Sequence, residues 1–253
     1  MFSVLVTGAN RGLGLTFVRQ LLNLAKPPEH VFACCRSPEN AADLQTIASN
    51  NPAVKVLKLD VANKLTYKDT VHDVEQIVGD QGLNLLINNA GIISRGNVEN
   101  ASTEDMERLY QVNVVGTLGV TQAFLPILRR AASFTGSDDE TMSIEKSAIV
   151  NISSIMGSIT LNTSSSAVAY RTSKAALNML TNCMSIEFAP YGVLAVAMHP
   201  GWVQTDMGGV DKAPVTPHES VSGVLATLDK LQGLDASGKC YEYTGHAGRT
   251  LPW

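Results

Sequence analysis

The sequence predicts one α/β domain, a doubly wound parallel sheet of about seven strands with helices on both faces. Three observations predict it. Short apolar runs alternate with stretches of helical periodicity from end to end. Those runs are apolar nearly throughout, as parallel strands covered on both faces are. The 253 residues, 45% hydrophobic and 17% charged, suffice for one large core and contain no repeat or linker. We therefore expect one domain over 1–253, with a first half of roughly 1–130 and a second of roughly 147–253.

Residues 3–7, SVLVT, read as the first strand. They run into a turn holding Gly8, Gly12 and Gly14, and a helix is expected over 13–24. Strands follow at 30–35, 54–60, 83–88, 147–153, 194–200 and 239–243. The segments 41–49, 64–78, 103–130, 170–189 and 217–231 carry helical spacing between them. Right-handed crossovers then bring the strand ends together along one edge of the sheet. The polar interruption at 133–146 contains Asp138, Asp139 and Glu140, which read as solvated loop charges rather than metal ligands. The segment 123–132 is amphipathic and reads as a core-facing helix.

Composition excludes several classes. A net charge of −4 without a basic cluster offers no footprint for nucleic acid. No apolar run approaches the ~20 residues of a membrane span, so no membrane partner is expected. The start, MFSVLVTG, lacks the basic region and cleavage site of a signal peptide. The four cysteines have no metal or redox spacing, and adjacent Cys34 and Cys35 face opposite sides of a strand. A reduced, cytoplasmic protein is expected. His199 reads as structural, and His246 has no partner acid in view.

Glycines between a strand and a helix let the backbone turn tightly and approach a pyrophosphate, whose charge the helix N-terminus favours. Gly8, Gly12 and Gly14 stand in that context, spaced G-x3-G-x-G. The second strand ends in ACCRSPEN, with Arg36 where such sites discriminate a ribose 2′-hydroxyl from a 2′-phosphate. Glu39 lies beyond Pro38 and is expected to point away, and Arg11 adds a cation on the same side. Two cations favour NADP(H).

Ligands of such sheets bind at the carboxyl ends of the strands. There the sequence places Asn88–Gly91 (NNAG), the serines of ISS (152–154), and the turn of HPGWVQTDM (199–207) at Pro200 and Gly201. Tyr170 opens the next helix, and Lys174 shares its face one turn on. A tyrosine phenol has a pKa near 10, which a neighbouring ammonium is expected to lower. The phenol then serves as general acid for a carbonyl oxygen that receives hydride, and as base in reverse. Ser154 can hold the same oxygen, with Ser153 as the other candidate.

TGANRGLG, NNAG, YQVNVVG, VNISSIMGS, YRTSK and HPGWVQTDMGG, in that order across the whole chain, resemble the short-chain dehydrogenase/reductase family. Within it, SSI-x-GS, AYRTSKAALN and the LPW tail are similar to the sniffer-type carbonyl reductases. The resemblance implies a Rossmann-type fold and roles by position. Tyr170 would donate the proton, Lys174 would tune it and bind the nicotinamide ribose, and Ser154 would orient the carbonyl. Asn113 would kink the long helix and hold a water linking Lys174 to solvent. Asn10, Leu13 and Val61 would border the cofactor, Asp60 would meet the adenine, and Asn88, Ala90 and Gly91 would line the adenosine ribose. Val203 and Thr205, after Pro200 and Gly201, would hold the carboxamide. Two departures stand out. Ser154 and Tyr170 lie a few residues further apart than in many members, so the intervening loop contributes more of the substrate wall. The insertion before the tyrosine that monomeric vertebrate carbonyl reductases carry is absent.

The expected activity is NADPH-dependent reduction of an aldehyde, ketone or quinone. The alternatives are an alcohol or hydroxysteroid dehydrogenase running the oxidation, and a nucleotide-sensing signalling protein that does not catalyse. The substrate pocket is expected to be open, with Ile155 and Trp202 as apolar walls and a mobile glycine-containing segment at 206–216. The apolar helices around 118–128 and 176–184 point to a homodimer.

Overall fold

A computed structural model describes residues 1–134, 141–244 and 249–253. Its elements run β1 (Ser3–Thr7), α1 (Gly12–Leu21), β2 (His30–Cys35), α2 (Ala42–Asn50), β3 (Val54–Lys58), α3 (Tyr67–Val78) and β4 (Leu85–Asn88). They continue as α4 (Thr103–Tyr110), α5 (Gly116–Ser133), β5 (Ala148–Ile152), α6 (Val168–Phe188), β6 (Leu194–His199), α7 (Pro217–Leu228), β7 (Cys240–Glu242) and β8 (Thr250–Leu251). The sheet order is β3-β2-β1-β4-β5-β6-β7-β8. β8 pairs antiparallel with β7, and every other neighbouring pair is parallel.

The apolar runs divide by alternation between two cores. Val4, Val6, Val150 and Val196 join Phe17, Val18, Val221 and Val224 on the α1–α7 side. Leu5, Leu86, Ile149 and Ala195 meet Phe124, Ile127 and Phe188 on the α5–α6 side. The strand order reverses between β1 and β4, which opens a crevice at their carboxyl ends.

Eight strands form where about seven are expected. The extra one is β8, two residues long, too short for any periodicity to mark. The helix expected over 103–130 runs from Thr103 to Ser133 and is long and apolar enough by composition to cross a membrane, although half of its apolar window is buried in the protein. Apolarity here is spent on the sheet. Within it, Gln111–Val115 widens into one π-helical turn. α7 begins with a capping box in which Thr216 and Glu219 satisfy each other's end of the first turn. Cys34, Cys35 and Cys240 are buried free thiols and Cys183 is an exposed one. Asp138, Asp139, Glu140 and His246 lie outside the described residues.

Candidate active site

The turn after β1 is built for close approach. Gly8 and Gly12 have φ of +65° and +53°, left-handed conformations that disfavour a side chain. A Cβ on Gly14 would stand 2.1 Å from the Gly8 carbonyl oxygen, so α1 starts pressed against the turn. Arg11 caps α1 in extended conformation without a side-chain capping hydrogen bond, and the first turn carries no acid. The helix N–H groups are thus left to an outside anion, which fits a dinucleotide pyrophosphate. Asn10 is exposed on this turn, and half-buried Leu13 packs on the core below.

Two residues to which the sequence assigns no individual role hold the turn in place. Thr7 Oγ1 accepts hydrogen bonds from the N–H groups of Asn89 and Ala90, both 3.0 Å. Asn89 Nδ2 donates to the carbonyls of Thr7 and Gly8 at 2.8 and 3.3 Å. Asn88 is a different matter. Its side chain is buried beneath the sheet, donating to Asn151 Oδ1 at 2.9 Å and Thr121 Oγ1 at 3.2 Å, so it ties strands to helix instead of lining a ribose. Strand alternation explains the difference, since Asn88 shares the face of Leu86.

Arg36 is exposed at the end of β2 and makes no ion pair among the described residues. Glu39 is exposed in the short turn Pro38–Asn40, its charge felt by the Cys35 thiol. Arg11, expected beside Arg36, reaches instead to Asp206 after β6, 3.0 Å away, with both side chains largely exposed. Such a surface pair is worth about 0–1 kcal/mol, so a phosphate can take the guanidinium from it. Beyond β3, Asp60 Oδ1 accepts from Ala62 N–H at 3.0 Å, and the Val61 carbonyl receives the Tyr67 hydroxyl at 2.6 Å.

The reacting groups converge at the ends of β4 and β5. Ser153 donates to Asn178 Oδ1 at 2.6 Å and faces away, which leaves Ser154 in the site. Ser154 Oγ accepts from Met156 N–H at 3.1 Å, and its hydroxyl is near enough to Tyr170 to favour the phenolate. Tyr170 and Lys174 are buried on the first turns of α6. Lys174 Nζ donates to the Ile152 carbonyl at 2.7 Å and stands 5.6 Å from the Tyr170 ring centre. Gly91 borders this group closely: a Cβ there would lie 3.3 Å from Asn113 Oδ1 and 3.7 Å from Lys174 Nζ.

The lowered phenol pKa expected from the Tyr–Lys spacing is not what the structure has. Burial pushes Tyr170 up to about 12, with the Ser154 hydroxyl opposing. Burial also pushes Lys174 down to about 8, so desolvation sets the direction of both shifts. A phenol in that range is still a far stronger acid than the alcohol its proton would make.

Asn113 stands in the π-helical turn, where the kink is expected. Its Oδ1 accepts from Ile92 N–H at 2.9 Å, and its Nδ2 donates to the Ile92 carbonyl and Ser173 Oγ, both 3.0 Å. Ser173 donates in turn to the Tyr170 carbonyl at 2.8 Å, a link the sequence reading did not contain.

The β6 turn completes the site. Pro200 and Gly201 lead to Val203, which pairs with Val215 in an isolated bridge, and Thr205 N–H donates to the Val203 carbonyl at 2.8 Å. The segment expected to be mobile is folded on itself. Gly209 N–H donates to the Thr205 carbonyl at 2.8 Å, and Gln204 Nε2 donates to the Ala213 carbonyl at 3.0 Å. Gly208 is there for closeness, because its Cβ would fall 2.0 Å from the Val203 oxygen. Trp202 donates its indole N–H to the Gly208 carbonyl at 2.7 Å while 56% exposed, and Ile155 beside Ser154 is 38% exposed. His199 is buried, neutral and pushed down to about 4.

Known proteins share this arrangement. The carbonyl reductase Sniffer of D. melanogaster superposes with a TM-score of 0.94 at 40% identity, covering 100% of both chains. An NADPH-bound carbonyl reductase from chicken fatty liver does so at 0.91 and 44% identity, over 99% of this chain and 98% of its own. C-signal of Myxococcus xanthus is 40% identical over 175 residues, 68% of this chain and 93% of that protein. The family model for short chain dehydrogenase matches residues 3–214. With residues 3–214 matched by that model, the chain belongs to the short-chain dehydrogenase family.

Proposed function

We propose that the chain is an NADPH-dependent carbonyl reductase, converting aldehydes, ketones or quinones to alcohols. It is an NADP(H)-dependent oxidoreductase acting between CH–OH and carbonyl groups. The observation that carries this reading is the meeting of Ser154, Tyr170 and Lys174 across Ala90 and Gly91 from the glycine turn that opens α1. Bound NADPH supplies the hydride. Ser154 Oγ holds the carbonyl oxygen, and Tyr170 Oη gives that oxygen its proton as negative charge develops on it. Lys174 supplies a positive charge below the phenol and a donor toward the nicotinamide ribose. Asn113 fixes the Ile92 backbone beside Gly91 and offers a water a place between Lys174 and solvent. Arg36 meets the 2′-phosphate, and Val203 with Thr205 meets the carboxamide.

The support from relatives is the NADPH in the chicken liver enzyme and the likeness to Sniffer. The same relay serves oxidation, so an alcohol dehydrogenase direction shares every residue. The likeness to C-signal favours a signalling role as the second reading, but such a role has no use for a buried Ser–Tyr–Lys set. Loss of NADPH absorbance with a panel of quinones, aldehydes and ketones tests the proposal. Turnover supports it, and cofactor binding without turnover of any of them sinks it.

A pH profile follows. The Lys174 ammonium is present below about 8 and lost as pH rises through it, while the phenol stays protonated to about 12. We expect kcat/KM for reduction to be level below about pH 8 and to fall by up to about tenfold per unit above it. Rates that climb through that window would contradict the assignment.

We further propose that the chain is a homodimer. Met179, Cys183 and Ile186 form an exposed stripe on α6, with Val115 exposed at the start of α5. Light scattering at micromolar protein is expected to give twice the chain mass, and Met179→Asp to give the monomer.

A further inference from the structure

The loop between Ser154 and Tyr170 is held at both ends. Gly157 sits so close to α6 that a Cβ would stand 2.7 Å from the Lys174 carbonyl carbon, and its own carbonyl accepts from Asn178 Nδ2 at 3.2 Å. At the other end Ala167 is buried with φ +52°, and Val168 N–H donates to the Gly96 carbonyl at 3.0 Å. Between these anchors the loop displays apolar side chains to solvent, with Ile159 78% exposed and Leu161 also exposed. Its apex is tied to a different part of the molecule. Thr160 donates both its N–H and its Oγ–H to the Trp253 carbonyl, at 3.1 and 2.8 Å.

The tail that carries Trp253 is fastened on its other side to the sheet. Thr250 and Leu251 pair with Tyr241 and Cys240. Arg249 Nε stands 3.0 Å from the largely buried Glu242 carboxylate. Glu242 is in register with His199, the residue before Pro200 and Gly201. The Tyr243 ring fills the space beside Gly201, 2.7 Å from where a Cβ would be. The tail therefore spans from the β6 turn, which presents Trp202, to the loop that presents Ile159 and Leu161.

We propose that Thr160 is a positioning residue for substrate specificity: by clamping Trp253 it fixes the spacing between the apolar loop that follows Ser154 and the β6 turn that presents Trp202. The proposal rests on the carbonyl-reductase reading above for its substrates. A carbonyl carrying a large apolar group touches both walls and depends on their spacing. A small aldehyde touches neither and does not.

Thr160→Val keeps the shape and the N–H but removes the hydroxyl donor, and Thr160→Ser keeps it. With the valine variant, KM for a large aromatic quinone is expected to rise about three- to tenfold, the effect of one lost hydrogen bond. KM for a small aliphatic aldehyde, and the Kd for NADPH, should stay within about twofold. The serine variant should restore the wild-type ratio. A second readout needs no turnover: in a Trp202→Phe background, emission from Trp253 should shift to the red and quench more readily with acrylamide when Thr160 becomes valine. If the wild type reduces no carbonyl, the functional reading fails while this fluorescence still tests the clamp. Unchanged Trp253 emission, or KM changes equal for large and small substrates, would overturn the proposal. Should Thr160→Val not fold, Arg249→Ala loosens the same tail from its sheet side and is expected to give the same selective rise in KM.

Discussion

Replacing Tyr170 with phenylalanine is expected to lower kcat by about 10²–10⁴-fold, the usual contribution of a general acid, with the Kd for NADPH nearly unchanged. The change removes only an oxygen. The ring keeps its place among Leu109, Ala167, Ala169, Ile92, Ile93 and Met156, so the helix and its neighbours have no reason to move. The hydroxyl itself is buried and its ionisation disfavoured, so losing it does not strip the fold of a charge. Stopped-flow turnover and fluorescence titration of NADPH on wild type and variant separate chemistry from binding. Near-native turnover in the variant would remove Tyr170 from the mechanism.

Arg36→Asp is expected to shift the ratio of kcat/KM values for NADPH and NADH by about a hundredfold or more toward NADH. A charge-assisted hydrogen bond to a phosphate contributes roughly 1.5–3 kcal/mol, about ten- to a hundredfold in affinity. The variant also repels the phosphate and offers the free ribose an acceptor. Arg36 is suited to the role because it is exposed at the end of β2 and not neutralised by an ion pair among the described residues. Arg11 can still contribute if the phosphate displaces Asp206, so residual NADPH use is compatible with the assignment. An unchanged preference would place the phosphate away from β2.

Much of this site is legible in the sequence because its parts are local. A glycine's conformational freedom, a serine ending a strand and two side chains one helical turn apart each depend on a few adjacent residues. Family resemblance ranks Ser154 before Ser153, whereas the hydrogen bond that turns Ser153 to Asn178 joins residues distant in the chain. What escapes is set by partners distant in the chain. Arg11 meets Asp206, Asn89 clasps Gly8, and Thr160 meets Trp253, pairings no spacing rule encodes. Asn88 was misplaced because the face a strand residue occupies depends on where its strand ends. The direction of the Tyr170 shift escapes the sequence for another reason: charge can be counted from sequence, but the desolvation that opposes it cannot.

The widened turn at Gln111–Val115 has a consequence for how this helix tolerates change. An α-helix advances about 100° per residue, and a π-turn accommodates one residue more than the regular spiral. The turn therefore absorbs the extra residue locally, between two regular segments. α4 packs beside Tyr170 through Leu109 and Met106, and α5 packs under the sheet through Phe124 and Ile127. Removing a single residue would not merely shorten the rod. It would close the widened turn into a regular one and move the Asn113 side chain off Ile92 and Ser173. The stretch QVNVV is thus constrained in its residue count as well as its residue types.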